Sequence, residues 1–274
     1  MRIDLHSHST ASDGSLSPSA LLARAAEKEV DVLALTDHDT VAGLDEAQAA
    51  ADEHGIRLVC GVEISALWEH KEIHVVGLNL DPAHHDLAAL LGEQSVRRDA
   101  RARLMGERLE KARYPGAYEG ARALAGDAAI TRTHMARWLL EQGAADSMAK
   151  VFKKFLSRGN TGYVPPDWCS LGEAIGTIQA SGGVAVLAHP TRYDLSNKWI
   201  RKMLAAFAEA GGNAMEVSMA QQSPQERATL GKWSREYGLD ASVGSDFHFP
   251  SQWRELGRQL WLPKEATPVW ERFL

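Results

Sequence analysis

The sequence predicts an α/β protein whose strands close, or nearly close, into a barrel. Three observations carry the prediction. Seven short apolar runs alternate with helical patterns, which implies βαβ units around a parallel sheet. The runs are apolar throughout rather than alternating, as strands covered on both faces are. Nine side chains of metal-binding type lie in or just after these runs: His6, His8, Asp13, His38, Glu63, His74, His189, Asp246 and His248. Strand carboxyl ends are where barrel enzymes keep their sites.

In chain order the strand candidates are Ile3–His6, Val32–Thr36, Arg57–Cys60, Ile73–Gly77, Val184–Ala188, Ala214–Ser218 and Ala241–Gly244. All seven are expected to be parallel. Helices fill most of the gaps. Ser17-Pro18 is a start signal, Ser at the N-cap and Pro at the first helical position, and Leu21, Leu22 and Ala25 follow at helical spacing. An alanine-rich helix from Asp39 to Glu53 can end at Gly55, with Asp39 and Thr40 as its caps. Ser170 to Ala180 precedes Gly182-Gly183, and Asn197 to Ala210 precedes Gly211-Gly212. Ser223-Pro224 repeats the start signal for a helix that stops at Gly238.

The rhythm breaks between about Asp81 and Pro166, where no strand is evident. A long helix from roughly His84 to Ala112, a break at Pro115-Gly116, and helices over Thr133–Gln142 and Ser147–Leu156 read as a helical insertion after the fourth strand. It is locally basic, with Arg97, Arg98, Arg101 and Arg103, then Lys150, Lys153, Lys154 and Arg158. The expected division is a barrel of residues 1–82 and 165–274, with 83–164 inserted and covering the active site.

Composition narrows the class. The 274 residues suffice for one barrel-type domain, and 45% apolar with 24% charged residues is ordinary for a packed core. A net charge of −6 provides no global field for nucleic acid. Two cysteines, Cys60 and Cys169, offer neither a disulfide framework nor a Cys-x-x-Cys zinc signature. No apolar stretch reaches the ~18 residues of a membrane span, and no signal-peptide pattern opens the chain. The expectation is a cytoplasmic protein with no membrane partner and no DNA-binding module.

His6 and His8 are two apart, so on an extended segment they face the same way. His-x-His alone is a weak signal; after an opening apolar strand it offers two ligands to one ion. Asp13 reads as a ligand or a turn residue. His38 ends Leu35-Thr36-Asp37-His38, with Asp37 placed to orient an imidazole. Glu63 is an acid in apolar surroundings and needs a partner, either metal ions that it bridges or an arginine. His74 by itself reads as a core histidine. His189 precedes Pro190, which stops a strand, and Asp246 and His248 repeat the two-residue spacing after Gly244, which permits close backbone approach. Imidazole with carboxylate suits zinc, manganese or iron. No serine or cysteine sits in a nucleophile setting.

The stretches Asp4-Leu5-His6-Ser7-His8, Leu35-Thr36-Asp37-His38-Asp39, Ala188-His189-Pro190 and Gly244-Ser245-Asp246-Phe247-His248, with Glu63 in Gly-Val-Glu-Ile-Ser, resemble the polymerase and histidinol phosphatase family of phosphoesterases, the PHP domain. The resemblance implies a distorted seven-stranded (β/α)7 barrel, amidohydrolase-like, with two to three divalent ions. Mn2+ is the first expectation and Zn2+, Fe2+ or Mg2+ the alternatives. By analogy His6, His8, Glu63 and Asp246 would hold one ion, Glu63, His74 and His189 a second, and Asp13, His38 and His248 a third.

Within that family the chain looks most like stand-alone bacterial members with a helical insertion, through Thr131-Arg132-Thr133-His134, Phe152-Lys153-Lys154-Phe155-Leu156 and Gly162-Tyr163-Val164. The function implied is release of the 3′-phosphate from nucleoside 3′,5′-bisphosphates such as 3′-phospho-AMP by metal-activated hydroxide. The alternatives are a 5′-to-3′ exoribonuclease on short 5′-phosphorylated RNA, a histidinol-phosphate phosphatase, and a metal-stabilised nucleotide-binding domain without turnover. His134 is the candidate general acid, and Arg132 a bidentate phosphate clamp. Lys153, Lys154 and Arg158 are candidates for a second phosphate, and Tyr163 either stacks on a base or packs. Asp246 and Glu63 complete the catalytic set. Trp68, Trp168 and Trp199 read equally as core, rim or ligand-facing.

Overall fold

A computed structural model describes residues 1–274. The chain divides into two compact units, one of Met1–Leu90 with Cys169–Leu274 and one of Leu91–Trp168.

The first unit is a mixed α/β, nearly closed barrel. Seven strands follow the order β1 (Ile3–Asp4), β2 (Val32–Leu35), β3 (Arg57–Trp68), β4 (Lys71–Leu78), β6 (Val184–Leu187), β7 (Ala214–Met219) and β8 (Asp240–Gly244). A two-residue β5 (Cys169–Ser170), not evident from the sequence, pairs with β3 off this path. The ring closes where Leu5 N donates to Val243 O at 3.1 Å and His8 N to Phe247 O at 2.9 Å. The strand interiors (Ile3, Leu5, Val59, Val76, Val186, Val243) pack together as one apolar cluster.

The all-parallel expectation fails at β4, which runs antiparallel to both β3 and β6. The cause is local. β3 runs well beyond the predicted Cys60 and turns back through Glu69 and His70, with φ of 49° and 59°. Positive φ at both central residues marks a type I′ hairpin turn, whose twist matches the strands it joins. The other crossovers carry helices: α1 (Pro18–Glu27), α2 (Leu44–His54), α7 (Leu171–Ala180), α8 (Asn197–Glu209) and α9 (Pro224–Glu236). Ser17, Ser170 and Ser223 cap α1, α7 and α9 with their side chains. Asp39 and Thr40 do not cap α2, which begins after Gly43; Asp39 Oδ1 instead accepts from Ser65 N at 2.8 Å, bracing β3.

The helical unit contains most of α3 (His85–Lys111), then α4 (Ala117–Ala125), α5 (Arg132–Glu141), α6 (Met148–Val151) and a π-helical turn over Phe152–Leu156. Met105, Leu109, Ala121, Met135, Leu139 and Leu156 form its core. Part of its basic stretch serves this packing. Arg98 and Arg101 lie over the Trp168 ring at 4.9 and 5.2 Å, so Trp168 is a core residue here. Trp68 and Trp199 pack edge to face in the barrel unit. No helix is long and apolar enough to cross a membrane.

Candidate metal centre

The strand ends deliver the nine candidate side chains of the barrel unit to one place, with Glu63 at the middle. β2 continues past Leu35 and pairs His38 with Glu63, which sets the His38 Nδ1 to Glu63 Oε2 distance at 2.7 Å. His74 lies inside β4, yet Glu63 opposes Val76, two residues on. The diagonal neighbour on the same face is therefore His74, with Nδ1 at 2.9 Å from Glu63 Oε1. Because β4 runs backwards, its early residues stand where the parallel strands end. His6 and His8 approach Glu63 at 3.3 and 3.4 Å, and His189 at 3.0 Å.

Asp246 Oδ1 stands 3.3 Å from His8 Nε2 and 3.7 Å from His6 Nε2. Asp13 Oδ1 lies 3.2 Å from His248 Nε2 and 3.8 Å from His38 Nε2. Three sets of donor atoms each converge within 4.8 Å: His8, Asp13, His38 and His248; His6, His8 and Glu63; His38, Glu63 and His74. His8 and His38 thus stand between sets, a sharing that the analogy-based grouping did not contain.

Backbone conformation contributes to the aim. Asp39, His189 and Asp246 have φ of 50°, 29° and 52°, uncommon for residues other than glycine and typical of functional sites. At Gly244 an added Cβ would lie 2.4 Å from His6 Cβ and 2.7 Å from Glu216 Oε1, so only glycine lets β8 approach β1 here.

Several supporting residues were not picked out from the sequence. Glu216, on β7, lies 2.6 Å from His6 Nδ1 and accepts from His189 N at 2.6 Å. It orients two of the nine, as carboxylates behind metal-binding histidines do. Its only sequence signal is an acid within the apolar run Ala214–Met219. Asp246 is gripped by Arg192 and by Arg254, whose Nη1 is 3.0 Å from its carbonyl and 3.3 Å from Oδ2. Tyr193 ties β6 to β4, its hydroxyl donating to Ala188 O and accepting from His74 N, both at 2.9 Å. Asp37, expected to orient an imidazole, instead accepts from Ser9 N, Ser9 Oγ and Ser12 Oγ at 2.5–2.7 Å, fixing the loop that presents Asp13.

The charges match the geometry. Burial pushes the Glu63, Asp13 and Asp246 carboxyls up, but the imidazoles around them prevail and hold all three well below the usual carboxylate range. Burial, with the His248 and His38 charges, lowers His8 to about 3. Burial also works against a charge on His6 and His248, yet Glu216 and Glu63 raise the first, and Asp13 and Asp246 the second. Ionised carboxylates and a neutral imidazole are the forms that bind cations.

The donor set fits divalent metal on two further observations. His6 Nε2 and His8 Nε2 face each other at 3.1 Å, an approach of two ring nitrogens that a shared cation satisfies. The mixed imidazole and carboxylate chemistry is that of zinc, manganese and iron sites.

The six insertion residues singled out above all lie in the helical unit. Arg132 opens α5, and His134 is its third residue, closing a capping box in which Thr131 N donates to His134 Nδ1 at 3.1 Å. Lys153 and Lys154 lie exposed on the π-helical turn, and Arg158 follows, also exposed. Tyr163 is half-buried, and its carbonyl accepts from Arg108 Nη1.

The sequence profile of the PHP domain matches residues 4–163. The chain belongs to the PHP domain family. Among curated relatives of this PHP domain protein, the 5′-3′ exoribonuclease Rnm of Salmonella typhimurium is 55% identical over 270 residues, 98% of this chain and 92% of that protein. The 3′,5′-nucleoside bisphosphate phosphatase of Chromobacterium violaceum is 44% identical over 272 residues, 98% of this chain and 95% of that one. Among solved structures, an amidohydrolase from Chromobacterium violaceum with bound sulfate and no metal superposes with a TM-score of 0.94 at 42% identity, covering 99% of this chain and 95% of that one. A putative metal-dependent phosphoesterase from Bifidobacterium adolescentis gives 0.82 at 28% identity, covering 97% and 92%.

Proposed function

We propose that this PHP domain protein is a divalent-metal-dependent phosphoesterase that releases the 3′-phosphate of nucleoside 3′,5′-bisphosphates. The observation that carries the reading is the convergence of five imidazoles on Glu63, with Asp13, Asp246 and His248 beside them. The 44% identity with a nucleoside bisphosphate phosphatase supports the substrate class. A second reading, 5′-to-3′ exoribonuclease, is favoured by the 55% identity with a protein of that name. The two share one chemistry. Each breaks the bond between phosphorus and the ribose 3′-oxygen of a 5′-phosphorylated nucleotide, with either a lone phosphate or the rest of an RNA chain beyond it.

Two to three ions, Mn2+ foremost, would be held by His6, His8, Asp13, His38, Glu63, His74, His189, Asp246 and His248. When bound, such ions acidify water and neutralise charge on a phosphoryl group. The protein's own residues do the rest. Glu216 fixes the His6 ring, and Arg192 with Arg254 fixes Asp246. Both guanidiniums also add positive charge beside a site for anions. The leaving 3′-oxygen needs a proton, and His134 is assigned that role. Its Nδ1 accepts from a backbone N–H, so the neutral ring carries its proton on Nε2 and can donate it there. Arg132 is assigned to phosphate in bidentate fashion, and Lys153, Lys154 and Arg158 to a second phosphate.

The test is phosphate release from 3′-phospho-AMP by metal-free protein with Mn2+ added back, beside a short 5′-phosphorylated RNA. Manganese-dependent release that is lost in Asp246→Asn is expected. Stepwise nucleotide loss from RNA without release from the bisphosphate would move the function to the second reading. No turnover of either substrate by the fully metal-loaded protein would overturn both.

A further inference from the structure

The loop after β8 does more than present Asp246 and His248. Beyond them it leaves Phe249 50% exposed and Trp253 73% exposed, and exposed large aromatics on one short loop mark a binding surface. Trp253, Gln252, Arg258 and Gln259, with Ala220 and Gln221 of the loop after β7, line an open groove of about 680 Å3, the size range of small-ligand sites.

Two arginines link the groove to the donor cluster. The Arg192 guanidinium contacts both Asp246 and, at 3.5 Å, the carbonyl of Ala220 in the groove wall. Arg254, next in sequence to Trp253, reaches Asp246 Oδ2 at 3.3 Å. The one acid of the lining, Glu255, is neutralised by Arg24 at 2.6 Å and Lys28 at 3.7 Å. What remains is an aromatic face, three amides that can both donate and accept, and the Arg258 guanidinium, with Arg192 and Arg254 between the groove and Asp246. That combination suits unstacked bases on a phosphate backbone, because single-stranded RNA is bound by stacking on aromatic side chains and by contacts to base edges.

We propose that this groove is the subsite for the nucleotides on the 3′ side of the scissile bond of single-stranded RNA, with Trp253 as the stacking face. The inference rests on the phosphoesterase reading. A nucleoside bisphosphate ends at its 3′-phosphate and leaves the groove empty, whereas an RNA fills it.

The test compares wild type, Trp253→Ala and Trp253→Phe, all manganese-loaded, on 3′-phospho-AMP and on a 5′-phosphorylated tetraribonucleotide. Loss of one stacked base lowers kcat/KM on the RNA by roughly 5- to 100-fold in Trp253→Ala, with Trp253→Phe near wild type and 3′-phospho-AMP turnover unchanged in both. An unchanged rate on RNA, or equal losses on the two substrates, overturns the proposal. Binding of the tetranucleotide to metal-free protein, followed by fluorescence anisotropy, separates this question from catalysis. If wild type turned over neither substrate, the phosphoesterase reading would fail. Weaker binding by Trp253→Ala alone would then still support the groove, and equal or absent binding would sink it.

Discussion

Glu63 stands within hydrogen-bonding or ion-pair reach of His6, His8, His38, His74 and His189, at 2.7–3.4 Å. One buried carboxylate among five imidazoles is a costly arrangement without positive charge to meet it, and although burial opposes it, Glu216 and Glu63 favour a proton on His6. The position of those imidazoles depends on groups behind them. Glu216 holds His6 through its side chain and His189 through its backbone. Replacing it by glutamine keeps the volume and removes the charge, so Glu216→Gln is expected to weaken metal binding about 10- to 100-fold. Metal titration of the purified variant measures this, and activity should return at high metal concentration. An unchanged affinity would show that Glu216 serves packing alone.

At the scale of elements, the site depends on how closely β8 lies against β1. Gly244→Ala would push a methyl group into His6 and Glu216. Overpacking of this kind costs about 1–3 kcal/mol, and a lower urea midpoint for the metal-free variant is the expected outcome; wild-type stability would show that the backbone yields. Much of this layer was legible in the sequence, because apolar runs mark buried strands and Ser-Pro and Gly mark helix ends. His6, His8, His38 and Glu63 stand out because each is a titratable residue at the end of such a run or within three residues after it. Strand direction was not legible, since an apolar run reads the same both ways, and Glu69-His70 lacks the Asn-Gly or Asp-Gly that announces a type I′ turn. For that reason His74 taken alone reads as a core histidine, and only the family resemblance marks it as a ligand; the reversed β4 is what sets it 2.9 Å from Glu63. Glu216 was hidden by its apolar neighbours. Asp37 and Asp39 have the composition of an orienting carboxylate and a helix cap, but the loop at Ser9 and the β3 backbone at Ser65 claim them.

For the whole molecule, metal and folding are linked. An ion that binds only the folded chain adds about 2.7 kcal/mol at a hundred times its Kd, and roughly 2–4 °C of Tm accompanies each kcal/mol in chains of about this size. Chelation is therefore expected to lower Tm by roughly 5–10 °C for each ion lost, read by thermal scans with and without metal; an unchanged Tm would argue against ligation by the folded site. Binding should also weaken as pH falls from about 8 to 6. His6 and His248 have raised pKa values in the metal-free protein, so they hold protons that the metal must displace, and lower pH strengthens that competition. Titrations across this range, with proton uptake or release followed in two buffers, check the sign.

The central claim is that the nine side chains form one multinuclear metal centre that hydrolyses phosphoesters. It is tested most directly by adding Mn2+ in steps to metal-free protein and measuring, in the same samples, the ions bound per chain and the phosphate released from 3′-phospho-AMP. At least two bound ions are expected, with activity appearing as they fill and both lost together in Asp246→Asn. Full activity in rigorously metal-free protein, or complete loading with no turnover of the bisphosphate or of 5′-phosphorylated RNA, would contradict it.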